Sequence, residues 1–508
     1  MMEVLSSLGN GFAVATTPLH LFLIFLGSLL GTLFGALPGL GPINGVAILL
    51  PICYTLGFPV ESSIIMLAGI YYGAEFGGRI SSILLNVPGD AGAVFTTLDG
   101  YPMAQKGLAG PALALSGVAS FIGGTIAIIG LTFFAPMLAS VAIYFGPSEY
   151  FVLMIFAFAT ISAMMGSNPL KSLIGVMIGL AVGVVGVDST TGVMRFTFGE
   201  PELYDGFEFL TVIVGFFAVS EILLMLEHHS SEDFEMPKIT RVYITLKELM
   251  ICKWTMVRSS IIGFIVGVLP GTGASIASAV SYTIAQKISD KEGTFGKGDI
   301  RGLAAPESAN NACAGGALVP MLTLGVPGSG TTAVLLGALM LYNINPGPML
   351  FVEQPKLVWG LIASMYIGNV VLLIINFPLV KVFTKILQVP YWLLVPSVIV
   401  LAFVGVYSVN SSTFSLLMAI VLGVLGYFLR KLHYPMATVI LGFVLGEIME
   451  DNLRRAFAMS GGEVSIFFQG TINTVLWTAT ILIVCMPLIT KFIAKKYGLG
   501  KKYASTTK

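Results

Sequence analysis

In a chain whose 508 residues are 56% hydrophobic and only 10% charged, the groups able to do chemistry are few and clustered. One cluster surrounds Pro38 and Pro88 and holds Gly39, Gly41, Asn44, Asn86, Gly89, Asp90, Thr96 and Thr97. The other surrounds Pro270 and Pro327. It holds Thr272, Gly273, Ser275, Ser278, Glu307, Ser308, Asn310, Asn311, Gly328, Ser329, Thr331 and Thr332. Most of these are neutral donors. Hydroxyls, amides and free backbone N–H groups can hold carboxylate oxygens without stranding a fixed charge in an apolar medium. Small residues also let helices approach closely, but their concentration around the same four prolines favours a binding site.

Ionisable residues inside apolar segments each cost about 2.5–3.5 kcal/mol at mid-bilayer on insertion scales, so each one needs a reason. Asp90 directly follows Val87-Pro88-Gly89, and Glu307 lies in Pro306-Glu307-Ser308-Ala309-Asn310-Asn311. Both are candidates for taking up a coupling cation or proton; the structural alternative is helix capping or placement at a membrane edge. Glu75 and Arg79 are four residues apart. On a helix that spacing predicts an ion pair, with a contact from Arg79 to a substrate carboxylate as the other role.

The elements that position these groups are membrane-spanning. A soluble chain carries about 25% charged residues, and apolar stretches such as 172–187 and 477–493 recur at lengths near the roughly 20 residues a bilayer crossing needs. The net charge is zero, so no nucleic-acid partner is expected. The four cysteines stand singly and the four histidines are scattered, which supports neither a disulfide frame nor a metal centre beyond a sodium site. No GxxxxGK[ST] loop is present, and no cluster of nucleophile and base suggests an enzyme. No lysine or arginine precedes Arg79, so the leading apolar segment lacks the basic start of a signal peptide, and an outer N-terminus is expected.

The chain repeats itself. Gly35-Ala36-Leu37-Pro38-Gly39-Leu40-Gly41 matches Gly267-Val268-Leu269-Pro270-Gly271-Thr272-Gly273, 232 residues on (from 38 to 270). Val87-Pro88-Gly89 matches Val326-Pro327-Gly328, 239 residues on (from 88 to 327). Further matches in the same order link 121–123 to 366–368, Pro147 to Pro390, and 212–216 to 439–443, with Glu221 and Glu447 following the last pair. Two related halves are expected, 18–227 and 255–450. A cytoplasmic linker at 228–254 joins them, and a final helix at 471–493 precedes a basic cytoplasmic tail at 494–508. Equivalent loops carry opposite charge: 188–208 is acidic, and its counterpart holds Arg430, Lys431 and His433. Basic loops collect in the cytoplasm, so the halves are expected to be inverted, with the N-terminus periplasmic and the C-terminus cytoplasmic. The fold expected is an all-α polytopic membrane protein of about 11–12 transmembrane helices. Each half is interrupted by broken helices or re-entrant hairpins.

Proline removes a donor and glycine tolerates conformations other residues avoid. Non-helical backbone at membrane depth survives only where protein or water surrounds it. Paired breaks in the two halves of an inverted repeat point to a transporter site, where half-helix N-termini attract anions.

The segments GALPGLGP (35–42), NVPGDAGAVFTTLDGYPMAQKG (86–107), GVLPGTGA (267–274), PESANNA (306–312) and TLGVPGSGTTAVLLGAL (323–339) carry a resemblance to a known family. Through them the chain resembles the large membrane subunit of the tripartite tricarboxylate transporters, along nearly its whole length. The resemblance implies a permease of the bacterial inner membrane, working with a small four-helix membrane subunit and a periplasmic solute-binding protein. Its substrates would be tri- and dicarboxylates or other organic acid anions, carried on a sodium or proton gradient. No cofactor is implied apart from a coupling sodium ion. A cation/proton antiporter is the alternative, since it too would have inverted repeats and broken helices.

Overall fold

The computed structural model describes residues 1–164, 168–188, 190–227, 243–376 and 391–496, together with 378, 379, 382, 385, 387 and 389. Helices make up almost all of it. The first series is α1 (Met2–Ala15), α2 (Pro18–Ala36), α3 (Gly41–Thr55), α4 (Val60–Leu85), α5 (Val94–Met103), α6 (Ala109–Ala142), α7 (Pro147–Met164), α8 (Pro169–Gly183) and α9 (Phe209–Glu227). The second is α10 (Leu246–Val268), α11 (Gly273–Ser289), α12 (Ile300–Leu324), α13 (Gly330–Leu341), α14 (Pro355–Asn376), α15 (Tyr391–Asn410), α16 (Thr413–Lys431) and α17 (Met436–Ser460), followed by α18 (Thr471–Lys496). A two-residue hairpin pairs β1 (Gly186–Val187) with β2 (Met194–Arg195), antiparallel.

Among the described residues, seven helices are both long and apolar enough to cross a membrane. Helices α4, α12 and α17 have 26, 25 and 25 residues, but polar groups such as Glu75, Arg79 and Glu307 break their apolarity. A helix wrapped by other helices does not need a lipid-like surface. Nearly every side chain of α4 and α12 is buried.

Helices α2 to α9 and α10 to α17 pair in order, and so does their packing. Helix α4 packs on α2, and α12 on α10; α6 crosses onto α12, and α14 onto α4; α8 packs on α17, and α16 on α9. Small residues allow the central contacts. A Cβ at Gly31 or Gly35 of α2 would strike the backbone of Ile70 or Ala74 in α4, and one at Gly263 or Gly267 of α10 would strike that of Ala309 or Cys313 in α12. Helix α10 begins at Leu246, with Thr245 and Glu248 forming a capping box. The last part of the stretch 228–254 is therefore helical, while residues 228–242 of the expected linker and 497–508 of the expected tail lie outside the described residues.

All four prolines that punctuate the sequence fall in breaks. Pro38 lies between α2 and α3, Pro88 between α4 and α5, Pro270 between α10 and α11, and Pro327 between α12 and α13. At both LPGxG turns the two glycines hold positive φ, +86° and +59° at Gly39 and Gly41, +71° and +69° at Gly271 and Gly273. That backbone region carries a steric penalty for residues with a Cβ.

Candidate functional site

The four breaks line one cavity of about 650 Å³, within the range of about 300–1,000 Å³ usual for small-molecule sites. Each helix that follows a break opens onto it by its first residue: Gly41 of α3, Val94 of α5, Gly273 of α11 and Gly330 of α13. The first turn of a helix carries N–H groups without intrahelical partners and the positive end of the helix dipole. Four such ends around one space make it attractive to anions. The opposite wall is Phe217 and Leu224 of α9, Arg430 at the end of α16, Tyr434 and Pro435 of the connection that follows, and Met436 and Ala437 of α17.

The return of the chain at each VPG break is tight and is the same in both halves. The Cβ of any larger residue at Gly89 would come within 2.6 Å of the Gly78 Cα and strike the Gly35 carbonyl. At Gly328 it would come within 2.7 Å of both the Ala317 Cα and the Gly267 carbonyl oxygen. Both breaks are therefore pinned against the same two helices of their own half.

Of the residues singled out in the sequence, Gly39, Gly41, Asn44, Gly89, Asp90, Thr272, Gly273, Ser275, Ser329 and Thr331 line the cavity. The others do not line it. Thr332 is held in a capping box with Ser329, whose Oγ accepts from the Thr332 N–H at 3.2 Å. Thr96 donates to Glu307 Oε1 at 2.5 Å and Ser120 to Oε2 at 2.9 Å, so both oxygens of that acid already have partners. Asn311 donates to the Glu307 carbonyl at 3.2 Å. Asn86 ends α4 in a left-handed conformation, φ +59°, and is exposed. Gly328 supports the break from behind.

The ion pair expected between Glu75 and Arg79 is absent. Arg79 turns across to other helices and donates to the Leu113 carbonyl at 2.6 Å, to Ser116 Oγ at 2.9 Å and to Asn376 Oδ1 at 3.1 Å. Glu75 lines the cavity instead, with Oε2 unpartnered. Asn44 donates to the Gly39 carbonyl at 3.1 Å and leaves its own Oδ1 free.

Arg430 was not among the expected site residues. It supplies the cavity wall with its one basic side chain among the described residues, is ion-paired with Glu221 of α9, and keeps an unpartnered Nε. In the sequence it is one member of a basic loop, and no local pattern connects it to breaks about 100 to 390 residues away.

A second cavity, about 520 Å³, lies at the far end of α13, between the β1–β2 hairpin and α17. Asp188 and Glu450 are paired there, while Asp205, Glu208 and Glu447 add further acids to the lining. Arg454 reaches Asp188 at 2.6 Å and Glu450 at 2.7 Å, and Arg195 reaches Glu450 at 2.8 Å. The Asp188 carboxyl is held down to about 2, first by hydrogen bonds from the Thr191 N–H and hydroxyl, then by the Thr190 N–H and the Arg454 charge.

Residues 21–441 match the protein family described as "Tripartite tricarboxylate transporter TctA family". An Agrobacterium vitis protein described as "Uncharacterized 52.8 kDa protein in TAR-I ttuC' 3'region" is 41% identical over 496 residues, 98% of each chain. A second from the same organism, "Uncharacterized protein in TAR-II ttuC' 3'region", is 41% identical over 234 residues, 46% of this chain and 97% of that one. No solved structure matches the chain.

Proposed function

The chain belongs to the tripartite tricarboxylate transporter TctA family, and from that premise we propose that it is the permease of a binding-protein-dependent symporter. Its cargo is a tricarboxylate or related organic acid anion, and a sodium or proton gradient drives uptake across the bacterial inner membrane. A periplasmic solute-binding protein delivers the anion, and a small four-helix membrane subunit completes the complex.

The observation that carries this reading is the meeting of four helix N-termini at one cavity. Backbone N–H groups with Ser275, Ser329 and Thr331 offer neutral donors to carboxylate oxygens, the Thr272 hydroxyl being donated to the Val266 and Leu269 carbonyls. Arg430, paired with Glu221, adds a basic group at the opposite wall. An interior-negative potential opposes an entering anion by about 2.3 kcal/mol per charge per 100 mV. Accumulating a di- or trianion therefore requires cotransported cations, and acids at the same cavity suit that need. The two halves are read as inverted copies. Alternating access then moves the helices carrying the breaks against the wall formed by α9, α16 and α17.

The test is uptake into proteoliposomes containing the full complex, with sodium and proton gradients imposed separately. Carboxylate accumulation driven by one of them is expected. Uptake indifferent to both would remove the symport, and sodium/proton exchange without any carboxylate would favour an antiporter.

A further inference from the structure

Three buried acceptor oxygens with no donor lie on neighbouring segments at one side of the cavity, two of them on residues that line it and one just behind. Glu75 is 4% exposed and its Oε2 has no partner. Asp90 Oδ2 accepts from the Gly92 N–H at 2.8 Å, while Oδ1 has none and lies against Gly78, three residues along α4 from Glu75 and so on the same helix face. Asn310 is 1% exposed. Its Nδ2 reaches the Glu75 carbonyl at 3.5 Å, which leaves Oδ1, also unpartnered, directed at Gly92 beside Asp90. The nearby charges are held elsewhere: Arg79 by Leu113, Ser116 and Asn376, its Nε alone lacking a partner, and Glu307 by Thr96 and Ser120.

Buried polar atoms are nearly always satisfied. Three orphan acceptors from three separate segments, two of them carboxylate oxygens, form a pattern that a positive ion completes. One proton bridges at most two of them. Oxygen-only donors suit a hard cation. The three side chains supply only part of any cation's shell, and a monovalent ion completed by water and backbone carbonyls needs fewer fixed ligands than calcium, which calls for about six to eight oxygens. Glu75 and Asp90 both face the cavity, so an entry path exists.

We propose that Glu75, Asp90 and Asn310 form a sodium site on the wall of the central cavity. It deepens the permease reading and rests on it for its role, by assigning the coupling ion and its ligands. The same position in the second half, 239 residues on, has Ser329 in place of Asp90 and Ala314 in place of Glu75. The site is thus single, and the second half supplies neutral donors to the anion.

The test uses the purified full chain without any carboxylate, its thermal unfolding followed in sodium, potassium or choline chloride at one pH and one ionic strength. Sodium alone is expected to raise the midpoint, saturably, as a ligand of the folded state does. Asp90→Asn and Glu75→Gln raise the half-saturating sodium concentration by about ten-fold or more, as loss of a charged ligand does. Asn310→Ala raises it less, and Asp188→Asn in the second cavity leaves it unchanged. A wild-type midpoint equal in sodium and choline would overturn the site, whatever the folding of the variants. So would a sodium response that survives in both acid variants, or a midpoint that follows pH alone. Sodium binding without carboxylate uptake would leave the site standing and remove the permease reading; uptake without a sodium response would do the reverse.

Discussion

The two cavities at opposite ends of α13 hold similar residue types in opposite electrostatic conditions. In the one beside the β1–β2 hairpin, Asp188 and Glu450 are each matched to arginines within 3 Å. In the central one, Glu75 and Asp90 each keep an oxygen with no partner. The first arrangement holds a loop to a helix. The second keeps two buried acid oxygens without partners, which is costly in a protein interior. A fold that retains that cost gains from it only when a ligand arrives.

That contrast can be tested from both sides. The largest effect belongs to the scaffold of the central cavity. Gly89→Val and Gly328→Val, each forcing a side chain into the backbone behind its break, should cut uptake by about 100-fold or more, the usual result of displacing a site by an ångström. Both variants should still reach the membrane, as checked by surface-exposed tag counting and uptake. Normal uptake in both would detach the breaks from transport. Next, Asp90→Asn should remove the dependence of uptake rate on an imposed sodium gradient while leaving a slow gradient-independent flux, measured with and without sodium outside.

A smaller loss is expected at Arg430. Replaced together with its partner, Arg430→Gln with Glu221→Gln, it should raise the half-saturating carboxylate concentration about ten-fold, the worth of one charge-assisted hydrogen bond. The paired change avoids leaving a buried acid alone. The smallest effect on uptake belongs to the other cavity, where Asp188→Asn should stay within about two-fold of wild type. Its signature lies in stability. The folded carboxyl is held down to about 2, against about 3.9 unfolded. Its contribution is present above the unfolded value and lost as pH falls toward 2. Acid unfolding curves of wild type and variant should therefore differ above about pH 4 and converge below it.

The breaks were legible in the sequence because their causes are local. Proline and two glycines in LPGxG cannot continue a helix, and the duplication showed that both halves use the device. That half-helix N-termini at the breaks attract anions is read from the same motifs; that four of them open on one cavity is not. What escaped was set by distant partners. The spacing of Glu75 and Arg79 predicts a pair on one helix, but α6 and α14 offer Arg79 three acceptors and free the acid. Thr96 and Thr332 look like ligands by type, yet they are spent on Glu307 and on the cap of α13. Arg430 enters from the end of α16, which the motifs do not touch. Local chemistry marks where the backbone opens; tertiary packing decides which side chains remain free to bind.

Whether an organic acid occupies the space between the four helix ends can be read directly. A single reactive thiol placed there by Ser275→Cys can be followed by maleimide labelling, since three of the four native cysteines are buried. In the presence of sodium, one or more of a panel of tri- and dicarboxylates should slow that labelling, while sulfate and chloride leave it unchanged. Labelling at the same rate with every carboxylate present would contradict the site.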